Sequence, residues 1–114
     1  MCLVAWLARH PQLKDFYFKN DNEGKRTPAQ GFHAQRMGLR RGVSDFFIGW
    51  PTPKYHGLFL EVKRNKKYTE SERSTETWIM QELFIENMKS VGYWGEFCYG
   101  WEDGKRIIEC YLHF

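Results

Sequence analysis

Two acids and a lysine stand where strands of a buried sheet would ordinarily carry apolar side chains. Asp45 follows Gly42-Val43-Ser44 and leads into Phe46-Phe47-Ile48, while Glu61 and Lys63 lie inside Leu58-Phe59-Leu60-Glu61-Val62-Lys63. Taking an uncompensated charge out of water is costly, so charges at such positions need a partner, a metal ion or a polar rim. Strand alternation sends Leu58, Leu60 and Val62 to one face and Phe59, Glu61 and Lys63 to the other, which sets carboxylate and amine side by side. Asp45 and Glu61 supply hard oxygen donors of the kind Mg²⁺ or Mn²⁺ takes, and the backbone carbonyl of Val62 offers a third. Lys63 is suited to orient an attacking water or to hold a non-bridging phosphoryl oxygen. Gln81 can hold water or phosphate through its amide. These are the parts of a metal-dependent phosphodiester hydrolysis site. Spacing alone also fits a plain salt bridge on an edge strand, or a lysine guarding an edge against aggregation.

The elements that must position these groups are legible from pattern. Residues 3 to 9 read as a short helix stopped before Pro11, and Phe16 to Phe18 as a strand. Asn20 to Arg26 has turn chemistry. A short helix is expected from Pro28 to Met37, with Phe32 and Met37 inward and Gly38 at its end. Gly42 reads as the turn that delivers Asp45 to a strand over Val43 to Ile48. The prolines of Trp50-Pro51-Thr52-Pro53 close that strand, and Leu58 to Lys63 forms the next. Asn65 to Thr77 is polar and charged, a loop or frayed helix. Trp78 to Val91 has a helical stripe of Met80, Phe84, Met88 and Val91, with Gln81 beside it. Gly92 ends that helix, Tyr93 to Tyr99 forms a strand, and Trp101 to Leu112 a last helix, weakened at Gly104 by about 1 kcal/mol relative to alanine. The order gives an α/β or α+β sandwich with a mixed sheet. The strands around Leu58 and Phe97 should run parallel, joined by a right-handed crossover.

Composition limits the alternatives. The 114 residues suit one domain spanning 1–114, and 18 % aromatic content supplies a core without staples. Cys2, Cys98 and Cys110 are odd in number and lack metal-ligand spacing, so free thiols in a reducing cytoplasm are expected. No apolar run is long enough for an export signal or a membrane span. The net charge of +3 is modest, but its distribution is informative. Lys25, Arg26, Arg36, Arg40 and Arg41 precede Asp45, and Arg64, Lys66 and Lys67 follow Glu61. Cations that bracket the two acids would draw a phosphate backbone towards them. His56 reads as a turn or packing residue. Trp50 and Tyr55 are open to stacking on an unpaired base or packing on a second subunit.

The chain resembles a stand-alone VRR-NUC domain, a branch of the PD-(D/E)XK, restriction-endonuclease-like nucleases often encoded by phages. The resemblance rests on Asn22-Glu23-Gly24-Lys25-Arg26, on Met37-Gly38-Leu39-Arg40-Arg41-Gly42-Val43-Ser44-Asp45, on Tyr55-His56-Gly57-Leu58-Phe59-Leu60-Glu61-Val62-Lys63-Arg64, on Gln81 with Phe84, and on Gly92-Tyr93. It spans roughly residues 11 to 108. The resemblance implies a restriction-endonuclease-like α/β core, a mixed central sheet flanked by helices. It also implies catalytic Asp45, Glu61, Lys63 and Gln81, with Mg²⁺ or Mn²⁺ as cofactor. Ser44 stands where the family often has proline. The family's glutamate in an N-terminal helix has no counterpart between Met1 and His10, and the loop from Asn65 to Thr77 is longer than a minimal member needs. The expected function is DNA endonuclease, acting in a phage or bacterial host cytoplasm on branched or Holliday-junction DNA as a homodimer. The rival expectation is a catalytically silent DNA-binding module that keeps the fold.

Overall fold

The computed structural model describes residues 1–20, 28–31 and 40–114. Lys25, Arg26 and Arg36, and most of the helix expected from Pro28 to Met37, lie outside the described residues, although 28–31 are helical.

The chain runs through α1 (Leu3–Ala8), β1 (Tyr17–Lys19), β2 (Phe46–Ile48), β3 (Leu58–Lys63), α2 (Glu70–Arg73), α3 (Glu76–Ser90), β4 (Trp94–Tyr99) and α4 (Trp101–Tyr111). The strands form one sheet in the order β1-β2-β3-β4. β1–β2 and β2–β3 are antiparallel, whereas β3–β4 is parallel, with α2 and α3 in the crossover. This is the expected mixed α/β sheet flanked by helices.

Alternation along β3 sorts the two layers. Leu58 and Leu60 are fully buried with Leu3 and Leu7 of α1 and Ile107, Ile108 and Tyr111 of α4. Gly104 lets α4 lie close to the sheet, since a Cβ there would come within 3.1 Å of Leu3 Cδ2 and 3.2 Å of Cys98 Sγ. A residue expected only to weaken the helix therefore serves its packing. On the opposite face α3 covers β3 and β4, with Phe59 edge-on to Phe84 and Trp78 against Phe97.

Some expected boundaries move. β2 starts at Phe46 rather than Val43, because Arg41 and Gly42 form a turn, with Gly42 at a left-handed φ of 83°, and Val43 and Ser44 run irregularly from it to the strand. Residues 70–73, expected as loop or frayed helix, form a helical turn stabilised by a capping box between Thr69 and Glu72. The inward stripe of α3 is also rotated. Trp78 and Ile85 are its buried residues and Val91 is 61 % exposed, because Gly95 leaves a space that Ile85 fills. Trp50 and Tyr55, expected to stack on an unpaired base or pack on a second subunit, are both half-buried against the core of this chain. The Trp50 carbonyl accepts the Tyr111 hydroxyl, and Tyr55 packs between Trp94 and Phe114. His56 meets the expected packing role, edge-on to Tyr93 and against Gly92. Among the described residues no helix is long and apolar enough to cross a membrane.

All three cysteines are free; Cys2 and Cys110 are exposed and Cys98 is buried. Burial first, then the charges of Asp103, Asp45, Glu61 and Glu96, push the Cys98 thiol from 9.0 up to about 12. Titration with a chromogenic disulfide at neutral pH should count two thiols in the native protein and a third only after denaturation. Because the fold binds the Cys98 proton more tightly than the unfolded chain does, its contribution to stability is intact below pH 9 and declines as pH rises from there towards 12. Three fast-reacting thiols in the native state would contradict this packing.

Candidate active site

The site begins with a ladder bond made by a side chain. The registered pairs Phe46↔Leu60 and Phe47↔Phe59, continued by one residue, set Asp45 opposite Glu61. There the Val62 N–H donates not to a strand carbonyl but to Asp45 Oδ2, at 2.8 Å. N–H and C=O of one extended residue leave from the same strand edge, so the Val62 carbonyl also faces the Asp45 side. The Asp45 backbone is itself fixed, its carbonyl accepting the Asn20 N–H at 2.7 Å. Asp45 is half-buried and Glu61 only 2 % exposed, on the α3 face of the sheet. Cross-strand neighbours in this arrangement have Cβ atoms about 5 Å apart, within the span of one shared ion.

Lys63, two residues on and on the same face, points under α3. Its Nζ donates to Gln81 Oε1 at 2.6 Å and lies 4.4 Å from the centre of the Trp78 ring and 5.6 Å from that of Phe97. Aromatic faces attract an ammonium group, and Gln81 fixes its direction. Asp45 is thus tied to β3 through the Val62 N–H and Lys63 to Gln81, while the register sets Glu61 on the same face of the sheet as both. The aromatic sleeve of Trp78 and Phe97 was missed by sequence reasoning. Its signal was available, since Phe97 alternates in phase with Glu61 through the parallel register Glu61↔Phe97.

Helix α3 also grips the loop that carries Asp45. A Cβ on Gly42 would sit 2.6 Å from the Met80 carbonyl oxygen, so the loop backbone rests directly on the helix backbone. Arg41 Nη1 reaches Glu76 Oε1 at 2.9 Å, an exposed pair of the kind that contributes little to stability. Ser44, at the position where proline was expected, is buried, and its hydroxyl makes no hydrogen bond among the described residues.

The expected cations divide into two sets. Arg40 and Arg41 are exposed beside the loop that leads to Asp45, and Arg64, Lys66 and Lys67 are exposed beyond β3. Lys66 pairs with Glu72 at 2.7 Å. Among the described residues no group of three or more His, Cys, Asp or Glu side chains is placed to hold a metal ion. The oxygens expected from the sequence, two carboxylates and a carbonyl, are of the kind Mg²⁺ takes, since that ion keeps several waters and is commonly held by one or two carboxylates together with substrate phosphates.

No family model matches the chain, and no curated protein does. Among solved structures it is similar to a chain described as a "VRR_NUC domain protein". The TM-score is 0.73 and the sequence identity 23 %, over 97 % of this chain and 82 % of that one. The likeness shows the fold alone, a mixed α/β sheet flanked by helices that the two chains share.

Gly42→Ala should lower stability by more than about 1 kcal/mol in urea titration, since φ and the Met80 contact both exclude a side chain. Gly31→Ala, with nothing among the described residues within 4 Å of its Cβ, is the matched control and should leave stability unchanged or improve it. Equal effects at the two positions would contradict the loop-to-helix contact.

Proposed function

We propose that this protein is a VRR-NUC nuclease that hydrolyses DNA phosphodiester bonds with the help of a divalent metal ion. The observation that carries the reading is the hydrogen bond from Val62 N–H to Asp45 Oδ2, which ties Asp45 to the strand that bears Glu61 and Lys63. Asp45, Glu61 and the Val62 carbonyl would hold Mg²⁺ or Mn²⁺, which supplies an activated water and offsets charge on the phosphoryl oxygens. Lys63 presents a positive charge to a non-bridging oxygen or to the attacking water, and Gln81 holds it in that direction. With Oε1 engaged by Lys63, the Gln81 amide N–H groups are left to donate to phosphate or water. Arg40, Arg41, Arg64, Lys66 and Lys67 lie on the two flanks of this edge, where a phosphate backbone would run. An arginine whose exposed partner is a solvated glutamate, as Arg41 is, can exchange it for phosphate at little cost.

The preferred substrate in this reading is branched DNA, including four-way junctions, engaged by a homodimer, because a domain of 114 residues offers little surface to a junction on its own. A second reading is a DNA-binding module without catalysis. It is favoured by the two-carboxylate donor set and by α1, whose first turn holds no acid.

Incubation with duplex, flap and four-way-junction DNA separates the readings. Cleavage is expected with Mg²⁺ or Mn²⁺ and none with EDTA. Lys63→Ala and Glu61→Gln should each reduce the rate by about 100-fold or more while salt-sensitive DNA binding persists. Binding without cleavage under every metal condition would favour the silent module. Light scattering of the protein on a junction should give the mass of two protomers per junction, and one protomer would refute the dimer.

A further inference from the structure

Next to the proposed site lies an open cleft, which the hydrolysis chemistry does not use. It has a volume of about 580 Å³ and is lined by Asn65, Lys66, Lys67, Tyr68, Arg73 and Tyr99. It is built rather than incidental. The Tyr68 hydroxyl donates to the Arg64 carbonyl, Arg73 Nη2 donates to the Tyr68 carbonyl, and the Thr69–Glu72 capping box fixes the turn behind them. Lys66 is committed to Glu72, whose carboxyl is held down at about 2 by the Lys66 hydrogen bond and then by the Thr69 amide. Lys67 makes no hydrogen bond or ion pair among the described residues, and Arg73 spends one N–H on a carbonyl, so both cations remain available to an anion. The walls also carry aromatic faces. The Tyr68 and Tyr99 rings are 5.9 Å apart, and Tyr99 remains 37 % exposed at the rim.

The position of this cavity relative to Lys63 matters most. Register pairs Lys63 with Tyr99, so the tyrosine shares the sheet face of Glu61 and Lys63, one strand away. The Trp78 ring touches both sides, 4.4 Å from Lys63 Nζ and 5.0 Å from the Tyr68 ring. A ligand with one planar aromatic face and a phosphate, continuous with a phosphate at Lys63, fits this combination of rings and cations.

We propose that this cleft takes one unpaired DNA nucleotide next to the phosphate to be cut, its base stacked on Tyr99 and its phosphate held by Lys67 and Arg73. The proposal rests on the nuclease reading and narrows its substrate to DNA that exposes an unpaired nucleotide beside the cut, as flaps and opened branch points do. Fully paired DNA keeps its bases stacked inside the helix and cannot fill the cleft without unpairing. Stacking tolerates any base, so the cleft selects structure and not sequence.

The test uses the full chain in EDTA, where no cutting occurs. One oligonucleotide duplex carries 2-aminopurine in an unpaired flap nucleotide, and its partner carries it fully paired. Wild type and Tyr99→Phe should quench the unpaired probe, and Tyr99→Ala should not. Tyr99→Ala should also bind the flap about 5- to 150-fold more weakly while its affinity for the paired duplex is unchanged. Lys67→Ala and Arg73→Ala, both at exposed positions that the core does not need, should each flatten the salt dependence of flap binding by about 0.7 in log–log slope. An unquenched probe with wild type, or equal weakening on paired and flap DNA in Tyr99→Ala, would overturn the proposal. Lys63-dependent cleavage without quenching would leave the nuclease reading standing and remove the cleft. Quenching without cleavage in Mg²⁺ would do the reverse, and absence of DNA binding would remove both.

Discussion

One hydrogen bond organises this end of the molecule. Asp45 Oδ2 accepts the Val62 N–H at the point where the β2–β3 ladder would otherwise continue through backbone alone. A side chain that substitutes for a ladder carbonyl stops the sheet and fixes its own carboxylate against the strand that bears Glu61 and Lys63. The same bond keeps a half-buried charge supplied with a donor, which lowers the cost of removing it from water.

The remaining architecture can be understood as support for that bond. β1 holds the Asp45 carbonyl, and α3 presses on the loop through Gly42 and Arg41 while carrying Gln81 and Trp78 to Lys63. Behind the sheet, α1 and α4 seal the apolar face, with Gly104 permitting a close approach. One face of the sheet therefore carries the core shared with α1 and α4, and the other carries Glu61 and Lys63 among the aromatic rings under α3. Helix α3 serves both as cover for the sheet and as scaffold for the site, so its placement is constrained from two directions. The crossover that leads into it carries Tyr68 and Arg73, which joins the cavity beside Tyr99 to the same scaffold.

Much of this was legible in the sequence because it depends on local pattern. Period-two alternation in Leu58 to Lys63 defined both β3 and the shared face of Glu61 and Lys63, and the parallel pairing of β3 with β4 followed from strand–helix–strand order. Gln81 was found because it borders an apolar stripe three to four residues in period. What pattern missed depends on tertiary fit. Ile85 rather than Val91 is buried, since a glycine on the facing strand leaves room that no helical periodicity reveals. Trp50 and Tyr55 were read as suited to stack on a base or pack on a second subunit, yet both are half-buried in this chain, Trp50 edge-on to Phe16 and Tyr55 against Trp94 and Phe114, contacts between distant parts of the chain. The capping box at Thr69 was readable as a Thr-x-x-Glu signature, but the charge of the surrounding run obscured it. The parallel β3–β4 pair and the shared face of Glu61 and Lys63 came from short-range rules, the catalytic set from the family resemblance, and the sleeve around Lys63 from long-range packing.

The central claim is that Asp45 and Glu61 converge closely enough to share one divalent ion. Mn²⁺ titration followed by electron paramagnetic resonance tests this without reference to cleavage. Wild type should remove one ion per chain from the free Mn²⁺ signal, and Asp45→Asn and Glu61→Gln should each abolish that uptake while the fold, followed by circular dichroism, persists. Undiminished uptake in the two variants would contradict the account.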